Sequence, residues 1–445
     1  MALDPIEIGM ATLYEGHALK VLQQLPSDSV HCCVTSPPYW GLRAYGTNPQ
    51  IWGDDPACMH QWVDGPRMGK GGTPLIGSGL EGGLGSSAAA MRSRIAGKFC
   101  GLCGAWAGEL GSEPTPDLYV EHIVEVFREV RRVLHPSGTL WINLGDSYAN
   151  NAAADRASVK AQEKQFSQRP PSGLKAKDMV GIPWLVAFAL RADGWWLRSD
   201  IVWEKPNCMP SSVTDRPTKA HEFMFLLSKS ADYAYDKVAV LEPFADPRQG
   251  RDGSKRKSER NRGGRTDGYT KPNGIDPSAN GGRNLRSVWR IPTRPYKGAH
   301  FAVFPPELVD PCIKAGASEG GCCPGCSAPY ERVVEKQVEF AGCSGRLGNP
   351  IEGKWEDSPH QTTGDYDLRA GPQVHVKTVG WSPVCGCEGL AMMDLDAVPC
   401  VVLDPFVGSG TTCAVAQSLR RRSIGIDLNP EYLSLAITRI EASVS

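Results

Sequence analysis

Apolar and polar positions along the chain alternate between two rhythms. "HALKVLQQL" reads as a short helix and "VHCCVT", over 30–35, as a strand with no polar face. Further on, Leu118, Ile123, Val126, Phe127, Val130 and Leu134 recur at helical spacing within "DLYVEHIVEVFREVRRVL", which "HPSG" stops before the strand "TLWINLG". "PWLVAFALRADG" predicts another helix, and "WWLRSDIVWEK" and "HEFMFLLSKS" two strands. Near the C-terminus a β-branched strand ends at Asp404, a glycine turn follows, a helix starts near Thr411 and "SIGID" is a last strand ending on Asp427. Such alternation predicts an α/β sheet covered on both faces.

Three stretches break the rhythm. Residues 54–113 are rich in Gly, Ser and Ala and read as an insertion, and 149–178 reads as a polar, alanine-rich loop. The window 251–300 holds 13 Lys or Arg against 4 Asp or Glu in a chain whose net charge is −1. A solvated linker and a surface for a phosphate backbone both satisfy that composition.

The strand over 30–35 runs into "TSPPYW". Pro37 and Pro38 cannot donate ladder hydrogen bonds, so they end the strand and stiffen a loop carrying Ser36, Tyr39 and Trp40. A structural turn would use the same letters, so the C-terminal segment "PCVVLDPFVGSGTT" has to decide. Its order of strand, Gly408-Ser409-Gly410 turn, helix, strand and acid is the layout for a nucleoside-containing cofactor, with Asp427 placed to bind ribose hydroxyls. A phosphate-binding Walker loop would need Lys where Thr411 stands, and a dinucleotide fingerprint a third small residue where Cys413 stands. A carboxylate at Asp404 instead suits a cationic ligand such as S-adenosylmethionine.

"TSPPYW" followed far downstream by "DPFVGSGTT" resembles the DNA amino-methyltransferases of the permuted, β order, in which the catalytic loop precedes the cofactor motif. "RPTKAHEFMFLLSKS" and "HFAVFPPELV" resemble further segments of that family. The resemblance implies a Rossmann-like S-adenosylmethionine-dependent methyltransferase fold with circularly permuted motifs and a target-recognition region, to which the cysteine spacing adds zinc-binding insertions. It implies catalytic roles for Ser36, Pro37, Pro38 and Tyr39, with the Ser36 hydroxyl and Pro37 carbonyl accepting the amino hydrogens of a flipped base on which Tyr39 stacks. Trp40 either lines that pocket or packs in the core. For the cofactor it implies Asp404, Pro405, Phe406, Gly408, Ser409, Gly410, Thr411, Thr412 and Asp427, together with Phe304, Pro305 and Glu307. A Ser before the two prolines leans toward cytosine N4; adenine N6 is the alternative. Carbon-5 methylation would need a cysteine nucleophile, but Cys400, Cys32 and Cys33 read as small strand hydrophobes.

Cysteine spacing adds a separate signal. Cys58, His60, Cys100 and Cys103 stand at the ends of the first insertion, and Cys323, Cys326, Cys385 and Cys387 bracket another. Each set closes a tetrahedral, structural zinc site; Cys322 and Cys343 could substitute in the second. Unliganded surface thiols are the plain alternative.

The expected organisation is therefore 1–53 catalytic part of the core, 54–113 zinc insertion, 114–245 core, 246–299 basic target-recognition region with Arg283, Arg286 and Arg290 as DNA contacts, 300–320 cofactor-side motif, 321–390 second zinc insertion and 391–445 cofactor-binding part. The start of the chain is unlike a signal peptide and no apolar run approaches the roughly 18 residues that span a bilayer, so a soluble, cytoplasmic enzyme acting on double-stranded DNA is expected. The reading leaves room for a cognate restriction endonuclease and a homodimer. A catalytically silent zinc-stabilised DNA-binding protein and an RNA methyltransferase are the rival classes.

Overall fold

In the computed structural model the described residues are 4–42, 47–53, 55–64, 98–149, 173–243, 282–294, 303–339, 373–387 and 396–444. Most of the loop 149–178, the basic stretch 251–281 and Cys343 lie outside them. The strands are β1 (Ile6–Ile8), β2 (Ala11–Glu15), β3 (Val30–Thr35), β4 (Gln50–Trp52), β5 (Trp62–Asp64), β6 (Lys98–Cys100), β7 (Trp106–Gly108), β8 (Leu134–Leu144), β9 (Trp196–Glu204), β10 (His221–Ser228), β11 (Val288–Arg290), β12 (Glu331–Glu339), β13 (Gln373–Ser382), β14 (Val401–Asp404) and β15 (Arg422–Asp427). The helices are α1 (Ala18–Leu22), α2 (Pro116–Val133), α3 (Ile182–Ala192), α4 (Pro306–Gly316), α5 (Thr411–Ser418) and α6 (Pro430–Val444).

One sheet runs in the order β1-β2-β15-β14-β3-β8-β10-β9-β11. From β2 to β8 its five strands are parallel, while β10 is antiparallel to both β8 and β9. The apolar run at β3 is explained by this position: every residue of it is buried. Cys33 joins the core made with α1, α2 and α3, while Cys32 Sγ on the opposite face donates to Cys312 O of α4 at 3.7 Å. A second cluster joins Ala11 and Leu13 of β2 to Cys413 of α5 and Leu433, Ala436 and Ile440 of α6.

Helix α2 starts where Thr115 accepts from Leu118 N at 3.2 Å, with proline in its first turn. It ends at Val133, but the strand after it differs from expectation, since β8 begins directly at Leu134 and takes in "HPSG". Pro136 has no N–H and a Cβ on Gly138 would lie 2.9 Å from His135 O, so this stretch is an irregular strand and the β3 ladder shifts register between Val30 and Cys32.

The chain divides into two compact units. Met1–Tyr235, Ser287–Tyr330 and Pro383–Ser445 form the unit that holds the large sheet. Asp236–Arg286 and Glu331–Ser382 form the other, in which β12 and β13 make an antiparallel hairpin. There the Arg332 guanidinium donates to Asp236 at 2.8 Å and to Thr378 at 2.6 Å while covering the Trp381 ring. Among the described residues no helix is long and apolar enough to cross a membrane.

Candidate active site at the ends of two neighbouring strands

Strands β14 and β3 are parallel neighbours whose chains depart to opposite sides, β14 toward β15 and β3 toward β8. Such a point of divergence opens a crevice at the carboxyl ends of the strands. Here those ends carry the glycine turn and the proline loop, and Thr35 Oγ1 donates to Asp404 Oδ1 at 2.7 Å across 369 positions of sequence.

On the β3 side, Tyr119 OH of α2 donates to Pro38 O at 2.8 Å, and among the described residues no hydrogen bond reaches Pro37 O. Ser36 Oγ donates to Tyr39 OH at 3.3 Å; that phenol lies 2.9 Å from Asn143 Oδ1 and 3.0 Å from Glu222 Oε2. Gly145 makes room for the ring, for a Cβ there would stand 2.5 Å from Tyr39 Cε2. Trp40 belongs to the packing: its Nε1 donates to Glu113 O at 3.0 Å and its ring lies against the core. Behind it the buried Glu113 carboxylate meets His122 Nδ1 at 3.0 Å and accepts from Gly111 N at 2.8 Å. Burial pushes the Glu113 carboxyl up, and His122 opposes that.

On the β14 side, Asp404 is 1 % exposed, and Thr412 Oγ1 donates to its Oδ2 at 2.7 Å. Burial raises its carboxyl to about 6, although Thr35, Thr412 and the Phe406 N–H hold it down. The carboxylate thus sits beneath the turn with both oxygens bound, rather than projecting as a free counter-charge. The two glycines divide their work. Gly410 has φ +79°, and a Cβ there would stand 2.8 Å from Ala436 Cα, so its smallness serves the packing of α6. Gly408 has φ +49°, and a Cβ there would meet only Phe406 O at 4.0 Å, so it is Gly408 that leaves open space.

Asp427, at the end of β15, accepts from Gly408 N at 2.9 Å and from Asn429 N at 2.8 Å, and burial raises it to about 6. Each oxygen keeps lone-pair capacity for a hydroxyl. The Ser409 and Thr411 hydroxyls face Arg439 at 3.0 and 2.6 Å, and that of Thr412 is taken by Asp404. Phe304 and Pro305 lead into α4, and Glu307 on its first turn pairs with Arg294.

Both expected cysteine sets assemble. Cys58, His60, Cys100 and Cys103 bring their donor atoms within 4.8 Å of one another, as do Cys323, Cys326, Cys385 and Cys387. Cys58 Sγ lies 3.7 Å from Cys100 Sγ, and Cys103 Sγ 3.5 Å from His60 Nδ1. The turn after Cys100 aims Leu102 N at its sulfur, 3.4 Å away. A third group, His31, Cys322 and Cys400, also converges. There His31 Nδ1 accepts from Val401 N at 3.0 Å and Nε2 faces Ser327 O at 2.8 Å, which leaves the ring no lone pair for a metal. Cys322 is drawn into this group instead of substituting in the second set. Burial pushes the Cys32 thiol up to about 12 and raises Cys33, while the hydrogen bond with Cys322, then burial, raises Cys400, which is unsuited to a nucleophile.

The three arginines expected at DNA are ion-paired: Arg283 and Arg286 hold Glu242 at 2.9 and 2.8 Å, and Arg290 holds Glu204 at 3.3 Å. Sequence reasoning did not single out Thr35, Asn143, Lys205 or Glu222. The one signal for Asn143 was a polar residue inside the buried run "LWINL".

A glycine turn with an acid at the end of the next strand, five parallel strands and an antiparallel β9–β10 pair beside them match the fold expected of an S-adenosylmethionine-dependent methyltransferase. The family model for DNA methylases modifying N6 or N4 amino groups matches residues 30–323 and 400–438, and the chain belongs to that family. The chain is 34% identical to the Type II methyltransferase M.Cfr9I of Citrobacter freundii over 98% of its own length and 90% of that protein. To the Type II methyltransferase M.SmaI of Serratia marcescens it is 31% identical, over 96% and 89%. Among solved structures, the cytosine-N4-specific PvuII DNA methyltransferase aligns with a TM-score of 0.45 at 14% identity, covering 96% of this chain and 86% of that one.

Proposed function

We propose that the protein methylates N4 of a cytosine flipped out of duplex DNA. The carrying observation is the pair of acceptors at the end of β3, where the Ser36 hydroxyl is turned toward Tyr39 and Pro38 O is occupied by Tyr119, which leaves Ser36 lone pairs and Pro37 O for an incoming amino group. An exocyclic amino nitrogen is a poor nucleophile because its lone pair is delocalised into the ring; two acceptors favour an sp³-like nitrogen and aim that lone pair. S-adenosylmethionine supplies the sulfonium-activated methyl group. Gly408 leaves the space in which it lies, Asp427 binds the ribose hydroxyls, and Pro405, Phe406, Phe304 and Pro305 wall the site. Asp404 acts from beneath, fixing the turn and lending negative charge in a dry setting. Tyr39 offers a stacking surface to the flipped base.

A neutral hydroxyl at position 36, in place of the carboxylate or carboxamide commoner in adenine enzymes of the family, favours cytosine. The names of its Type II relatives support a cognate restriction endonuclease. The two convergent cysteine sets hold structural zinc, since four ligands leave no open position. The test of the target is mass spectrometry of deoxynucleosides from the DNA of cells expressing the protein, where N4-methyl-2′-deoxycytidine is expected. N6-methyl-2′-deoxyadenosine without it overturns the base assignment.

A further inference from the structure

We infer that Glu222 receives, through Tyr39 and Ser36, the proton that the target amino group gives up as it is methylated. The inference rests on the assignment of Ser36 as an acceptor at that group and goes beyond it. It comes from counting donors around the Tyr39 oxygen. Asn143 presents only its carbonyl there, because its Nδ2 donates to Phe223 O at 3.1 Å. Glu222 presents Oε2, while Lys205 holds its other oxygen. Two acceptors, at 2.9 and 3.0 Å, therefore share the single phenol proton. The network is one proton short of satisfying all its bonds, and Ser36 already donates into it.

That shortage matches the stoichiometry of the reaction. As the N–C bond forms and the electron pair of the broken C–S bond stays on sulfur, the amino nitrogen becomes cationic and must lose one proton. That proton passes to Ser36 Oγ, the Ser36 proton to the Tyr39 oxygen, and the Tyr39 proton to Glu222 Oε2. The product state then has Glu222 donating to Tyr39 and Tyr39 donating to Asn143, with every partner satisfied. Glu222 sits at the start of antiparallel β10, where its side chain keeps 20% exposure through which the proton can leave to water. The charged and titratable groups facing it are Lys205 at the end of β9, Lys219 and His221. The two lysines place positive charge beside it, and burial lowers the pKa of His221.

Glu222→Gln is the discriminating variant. Lys205 can only donate, so it fixes the amide with its oxygen toward the ammonium and its NH₂ toward Tyr39, filling the vacant proton position permanently. Single-turnover transfer from tritiated S-adenosylmethionine to unmethylated plasmid DNA should fall about 100-fold, the scale of general-base loss, with thermal stability and DNA affinity retained. Glu222→Asp should restore part of the rate. Tyr39→Phe should lower the rate by a similar factor, with no added loss in the double variant. A Glu222→Gln enzyme within threefold of wild type overturns the relay while leaving the site intact. Wild-type transfer by Ser36→Ala would overturn the site assignment itself.

Discussion

At the scale of single residues, the two glycines of one turn make separable predictions. Gly408→Val adds atoms to open space at a positive φ, so it should cost about 1–2 kcal/mol of stability and abolish S-adenosylmethionine binding by calorimetry. Gly410→Val drives a branched side chain into Ala436 and should lower the melting temperature far more, whatever the cofactor concentration. Asp404 predicts a pH signature. Its carboxyl is raised from 3.8 to about 6 by burial, so the folded state holds a proton that the unfolded state has released between those values. Stability therefore falls as pH rises from about 4 to about 6. Asp404→Asn, which keeps hydrogen bonds to Thr35 and Thr412, should be the more stable form above pH 6, by at most roughly 3 kcal/mol, and poorer in cofactor binding. Melting curves that run parallel from pH 4 to pH 7 would contradict this.

At the scale of elements, the small antiparallel sheet β4-β7-β6-β5 is built from three-residue strands, with the first cysteine set at the β5–β6 end and Trp52 and Trp106 of β4 and β7 buried in the main core. The second set is tied into the core: Cys322 pairs with Val398 just before β14, and Ser327 O meets His31 on β3. Metal analysis of purified protein should find about two zinc ions per chain. Cys326→Ser should lose one of them and lower the melting temperature, through the strands that carry the glycine turn and the proline loop. Zinc-free, folded and active protein would remove both sites. The elements were legible because burial dictates their letters, as in β3 and α2. The start of β8 was misread because Pro136 and Gly138 break helices and ordinary strands alike, and only the partner β3 shows that the strand already runs through them.

At the scale of the whole molecule, the prediction concerns DNA. Arg283, Arg286 and Arg290 share their charge with Glu242 and Glu204, so part of their field is already neutralised. Replacing all three by Gln should flatten the slope of log affinity against log salt by up to about 2.7 if each contacts one phosphate. An unchanged slope would return these residues to a structural role. The second unit draws on Asp236–Arg286 as well as Glu331–Ser382, while Cys323, Cys326, Cys385 and Cys387 all belong to the first.

The sequence by itself determined the family and the chemistry at hand, because a proline-stiffened loop and a glycine turn each need particular residue types in a short, contiguous order. It also determined which cysteines belong together, since paired ligands at the two ends of an insertion are readable as spacing. Proximity between distant segments was decided only by the tertiary structure. Thr35 and Asp404 share a hydrogen bond across 369 positions because β3 and β14 are neighbours in the sheet. Glu222 reaches Tyr39 because an antiparallel strand brings its beginning to the rim where parallel strands end. No local pattern marks such a residue, for its role follows from the neighbour it meets.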